Sequence, residues 1–183
     1  MKNISIIVFS SMVLFSCGGS GGGGVEGGAS TVTSKSDVIV MLSNTFWEKE
    51  CSPYNKFSSD DLPDLWNIKI KLSIDSSLEA TYRTEYFHPT DIECDSVMFD
   101  YLDISTFDIT EKVISEESIE ANALNENFIY NSHNRELPPN YTLIYINSEK
   151  LYFGQKSGSN IGETPETRHS SISLDNNFIQ IIN

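Results

Sequence analysis

Three cysteines, three histidines and two short rows of carboxylates are the residues whose types and spacing could do chemistry in this 183-residue chain. Cys17, Cys51 and Cys94 could be acylated, form a disulfide or ligate a metal. His88, His133 and His169 each stand beside Pro, Asn or Ser in loop-like stretches. No Gly-x-Ser-x-Gly elbow, HExxH pair, Walker loop or comparable catalytic frame accompanies them. A hydrolase assembled from loop His and Asp residues is therefore the lesser alternative to a non-enzymatic protein, and no cofactor is implied. Asp91, Glu93 and Asp95 recur at period two, which sets them on one face if the segment is extended. Asp60, Asp61 and Asp64 form a second row. Calcium takes several oxygen ligands, so Asp91, Glu93 and Asp95 are candidates for it, but EF-hand spacing is missing. With 26 acidic against 12 basic residues, such rows also arise from composition alone, and a solvated face is the expectation.

The N-terminal elements position Cys17. Met1-Lys2-Asn3 carries one cation, and Ile4 to Phe15 is an apolar run too short to span a bilayer as a stable helix. The following Leu14-Phe15-Ser16-Cys17 resembles the lipobox of bacterial lipoproteins: an aliphatic residue, a tolerant position, a small residue, then the cysteine that receives lipid. The resemblance implies that residues 1–16 are a signal peptide and that Cys17 is the lipidated N-terminus. Gly18, standing where Asp would signal inner-membrane retention, implies the outer membrane of the cell envelope. Residues 17–36 are rich in Gly and Ser and read as a flexible tether, with a reach of roughly 25 Å from the square-root law.

Charge narrows the partners. Loss of residues 1–16 would remove Lys2 and no acid, moving the formal charge from −14 to −15. Nucleic-acid binding, which rests on cations neutralising phosphates, is disfavoured. So is electrostatic adhesion to anionic headgroups; the membrane is reached through the lipid. With Cys17 assigned to lipid, Cys51 and Cys94 remain, and an exported chain meets an oxidising compartment. Their pairing is the expectation, worth roughly 4 kcal/mol for a loop of about 44 residues. Two free thiols or half a metal site are the alternatives.

Residues 37–183 read as one domain, with strand periodicity throughout. Trp66, Ile68, Ile70, Leu72 and Ile74 alternate with polar residues, Asp75-Ser76-Ser77 turns the chain, and Ala80, Tyr82, Thr84 and Tyr86 alternate again: a hairpin. Tyr141–Ile146, the turn at 147–150 and Leu151–Phe153 form a second one. Val38–Leu42 leads into Thr45-Phe46-Trp47, a first strand ending near Cys51. Val97–Ile104, Phe107–Ile114, Ile172–Leu174 and Phe178–Ile182 supply further strands, and Glu116–Leu124 is assigned as strand over helix. Eight to ten short strands linked by hairpins point to an all-β, antiparallel up-and-down barrel, with a sandwich as the alternative.

Trp47 in the first strand, Cys51 just after it, Cys94 beyond the next hairpin, and Leu151-Tyr152-Phe153-Gly154 followed by Arg168 together resemble lipocalin-like barrels. That resemblance implies a late arginine, Arg168, packed on Trp47 at the barrel base; Thr45 stands where the family carries Gly. A guanidinium on an indole contributes about 0.5–2 kcal/mol. Inward aromatics, Trp66, Tyr82, Tyr86 and Tyr145 among them, could line a ligand cavity or fill the barrel. The expected function is an envelope lipoprotein whose barrel binds a small apolar ligand. The alternative is a protein-interaction lipoprotein, of the inhibitor, assembly-factor or immunity type, with a filled barrel.

Overall fold

A computed structural model describes residues 34–56, 64–133 and 136–182; the lipobox-like segment, Cys17, the Gly/Ser stretch up to residue 33, and Asp60 and Asp61 lie outside them. Eight antiparallel strands close a barrel in sequence order: β1 (Thr45–Lys56), β2 (Asp64–Ile74), β3 (Glu79–Phe87), β4 (Val97–Ile114), β5 (Glu120–Asn131), β6 (Asn140–Asn147), β7 (Lys150–Phe153) and β8 (Asn177–Ile181). The last strand returns to the first, with Phe46 opposite Ile181 and Glu48 opposite Ile179. Closure removes the free sheet edges over the paired span. The all-β, up-and-down expectation holds, with eight strands.

The two hairpins read from alternation form as expected: Ile74 pairs with Ala80, and Asn147 with Lys150. The 75–79 turn is held by the Asp75 carboxylate, which accepts from the Ser77 and Glu79 amides at 2.8 and 2.9 Å. Of Glu116–Leu124, the part from Glu120 on is strand, as assigned, whereas 116–119 form a turn in which the Ser115 amide bonds the Ile119 carbonyl.

Three assignments are corrected. Val38–Leu42 is not strand but part of an α-helix, α1 (Lys35–Leu42), which begins ahead of residue 37. Ser34 caps it by accepting from the Asp37 amide, and Val38 and Leu42, one turn apart, are buried in the barrel core. Burial of that i, i+4 pair overrides the strand preference of the β-branched Val38-Ile39-Val40 run. Val97–Ile104 and Phe107–Ile114 are one 18-residue strand, because its two edges pair with β3 and β5 over overlapping spans that keep the chain extended between them. Ile172–Leu174 is not a strand; its neighbour Ser171 makes a single bridge to Gln155, and Ile172 instead packs on the outside of the barrel with Ala121, Leu143 and Tyr152.

The barrel is filled at one end. Val38 and Leu42 from α1 meet Trp47, Leu72, Ile74, Ala80, Phe107, Ile109, Leu124, Ile144, Ile146 and Leu151 in one apolar cluster. Trp47 is fully buried, and its indole N–H donates to Thr45 Oγ1 at 2.8 Å. The residue that departs from the Gly-x-Trp pattern thus supplies the acceptor that a buried indole requires.

Candidate functional site

Above the filled layer, the same inward parity carries different residues. Ile70 of β2, Tyr82 and Thr84 of β3, Asp103 of β4, Glu126 and Phe128 of β5, Asn140 and Thr142 of β6, Phe153 of β7 and Phe178 of β8 line an open cavity of about 280 Å³. Strand alternation puts them there: Leu72, Ala80 and Leu124 are core, and Ile70, Tyr82 and Glu126, two residues along, line the cavity.

Glu126 dominates the electrostatics. It is 4% exposed. Ser105 Oγ donates to one carboxylate oxygen at 2.9 Å, Asn140 Nδ2 to the other at 3.0 Å, and the Tyr82 hydroxyl also bonds it. Burial nevertheless pushes its carboxyl above the ordinary range, against the lowering by those donors, and the Asp103 charge adds to the rise. Burial, then the Glu126 carboxylate, raises the Tyr82 phenol well above its usual value. Asp103 accepts from Asn131 Nδ2. A buried carboxylate costs stability unless something compensates it, so Glu126, with the half-buried Asp103 beside it on the same cavity, calls for an explanation other than packing.

Beyond the cavity the strands of one side continue and carry an aromatic wall. Trp66 packs edge-on to Phe99 at 5.0 Å, Phe99 stacks on Tyr86 at 4.8 Å, and Tyr101 meets both. Tyr54 adds an edge contact to Tyr86, and the His133 ring sits 3.6 Å from Tyr101. The wall stands high because β1 to β5 are 9 to 18 residues long, while β7 and β8 are 4 and 5. The disulfide braces this end: Cys51 and Cys94 are bonded, with Cα atoms 5.9 Å apart. Asn67 Nδ2, donating to the carbonyls of Pro89 and Asp91, holds the same loop.

Of the four aromatic candidates, Tyr82 lines the cavity, and Trp66 and Tyr86 build the wall above it. Tyr145 is a correction: it lies on the outer face against Tyr152, since Thr142, Ile144 and Ile146 take the inward positions of β6. The Trp47–Arg168 stack is not formed either. The Arg168 guanidinium lies 5.6 Å from the Tyr141 ring centroid and donates to the Leu124 and Thr142 carbonyls and to Asn125 Oδ1. Those partners belong to β5 and β6, whereas Trp47 is on β1, between β2 and β8. Arg168 instead clamps the 154–176 loop to the barrel wall. His169 assists, its ring nitrogens 3.1 Å from Thr142 Oγ1 and from the Ile161 carbonyl. Gly162, at φ +80°, lies where any Cβ would strike the His169 ring.

Asp91, Glu93 and Asp95 are not on one face of a strand. The segment is a series of turns, and the Asp91 carboxylate is spent on the Asp95 and Ser96 amides. Among the described residues, no three His, Cys, Asp or Glu side chains converge on a metal position, and no histidine is hydrogen-bonded to a carboxylate. Glu126 and Asp103 were not singled out by the sequence. The signal was present, an acid at the inward parity of each of two strands, but β5 alternates too irregularly for its parity to be read.

A shallow groove of about 400 Å³ runs along the outer face between Phe46, Lys71, Thr81, Arg83 and Ile181. No helix among the described residues is long and apolar enough to cross a membrane. Comparison of the chain with protein-family models, curated proteins and solved structures gave no significant match.

Proposed function

We propose that this protein is a lipid-anchored, non-enzymatic binding protein of the bacterial outer membrane, whose barrel holds a small ligand at its open end. The observation that carries this is the half-filled barrel: apolar packing is complete around α1 and gives way to a cavity of about 280 Å³ under an aromatic wall. Small-ligand sites are concave, mostly apolar and furnished with a few polar groups, which describes a lumen of Ile70, Phe128, Phe153 and Phe178 with Glu126, Asp103 and Asn140. The lipobox-like Leu14–Cys17 and the Gly/Ser tether supply the anchor in this scheme.

A second possibility, a protein-interaction lipoprotein, draws on the outer groove, where Phe46 and Ile181 are 50% and 42% exposed. Native mass spectrometry of the purified full chain separates the two. A carrier should retain a small-molecule adduct that Thr84→Phe, which fills the lumen, removes. An absent adduct, together with no thermal response of the wild-type protein to a panel of small amphiphiles, would count against the carrier. Anchoring is tested separately by fatty-acid labelling in a diderm host, which Cys17→Ser should abolish.

A further inference from the structure

We propose that the ligand of the lumen is a small organic cation, an amine or quaternary ammonium on an apolar body, seated between Glu126 and Asp103 and against the aromatic faces of Tyr82, Phe153 and Phe178. This rests on the reading of the lumen as a ligand site and specifies the chemistry of what enters it.

Four observations converge. First, both carboxylates border the cavity, and Glu126 is almost wholly withdrawn from solvent. Second, neither has a cationic partner: no ion pair among the described residues involves them. Their bonds come from the neutral Ser105, Asn140, Tyr82 and Asn131. Lys49 of β1, opposite Ile70 in the register, pairs with neither. Third, the surrounding surface is aromatic, and the negative face of an aromatic ring attracts a cation. Asp103 lies close enough to Tyr82 and Tyr86 to raise both phenols, so acid and ring share one place. Fourth, cations of the neighbouring strands are engaged on the outer face and not in the lumen: Lys71 pairs with Glu85 and Arg83 with Asp100 at 2.9 and 2.6 Å.

A metal ion fits less well. Neutral donors already occupy both oxygens of Glu126, and Phe128, Phe153 and Phe178 offer no ligand atoms. An anion would meet two carboxylates. An alkylammonium adds the missing charge and fills the apolar remainder.

The test is isothermal titration of the full chain in detergent with three probes of one shape: 2-phenylethylammonium, 2-phenylethanol and 3-phenylpropionate. The ammonium should bind at least about tenfold more tightly than the alcohol, with the carboxylate weakest. Glu126→Gln should reduce ammonium affinity about tenfold and leave the alcohol unchanged; Asp103→Asn should act in the same direction and serves if the first variant does not fold. Equal binding of ammonium and alcohol, or an unchanged preference in both variants, overturns the cationic head while leaving a lumen site intact. Binding of none of the three, with Thr84→Phe indistinguishable from wild type, overturns the lumen site as well.

Discussion

The two ends of this barrel are built from the same strands with the same alternation, yet one is a core and the other a site. At the closed end, α1 inserts Val38 and Leu42 over Trp47, Leu72 and Ile146, and the inward positions are mostly apolar, the buried Asn122 opposite Ile144 being an exception. Two to four residues further along the same strands, inward positions become Thr84, Asp103, Glu126, Asn140 and Thr142, and space opens. The closed end gains its free energy by removing apolar area from water. The open end gives some of that up: it keeps acids in a lumen and relies on a disulfide and on loop clamps for order. Stability and binding are thus allotted to opposite ends of a single sheet.

This contrast can be broken by substitution. Trp47→Ala should lower unfolding stability by about 5 kcal/mol, since it removes a fully buried indole and leaves a cavity. Phe99→Ala in the half-buried wall should cost about 2 kcal/mol. Equal losses in urea unfolding would erase the distinction between core and wall. Removing the Cys51–Cys94 link by paired serine substitution comes next, at up to about 4 kcal/mol from loop entropy. Proteolysis should then begin in the 88–96 loop before the helix end opens.

Glu126 gives a smaller effect with a definite sign. Its folded pKa is raised by burial, so the folded state favours the protonated acid. Stability from this group is fullest below the unfolded pKa and declines as pH rises through the folded value. Glu126→Gln should flatten that decline, leaving the variant at least as stable as wild type at neutral pH and no better in acid. Urea midpoints across the pH range measure it, and a variant that loses stability at neutral pH would show the carboxylate to be structural.

The smallest effect belongs to the clamp outside the barrel. Glu117 is held at about 2 by hydrogen bonds from the Ser171 hydroxyl, the Ile172 amide and the Ser115 hydroxyl. Its lowered pKa means that its contribution is present above the ordinary carboxylate value and is lost as pH falls towards 2. The Ile172 amide resonance should titrate with that midpoint, and Glu117→Gln should remove the transition while the lumen residues stay unmoved.

Much of this fold was legible in the chain. Regular alternation in 66–74, 80–86 and 141–153 located two hairpins, and the cysteine pair followed from there being one odd thiol to assign elsewhere. Alternation failed at bulges. The register slips between Ile104 and Ser105 and again between Ile109 and Lys112, which hid the inward parity of Asp103 and Glu126 and split β4 in two on paper. It failed again at Val38-Ile39-Val40, where local preference favours strand.

By itself, then, the sequence determined a single β domain of short antiparallel strands, its disulfide and its acidity, because period-two patterning and residue counts are local properties. Tertiary structure alone decided that α1 closes one end, that Arg168 serves Tyr141 and the β5–β6 wall, and that two acids on different strands share one lumen. Those outcomes depend on which strands become neighbours around a closed barrel, and closure is a property of the whole sheet.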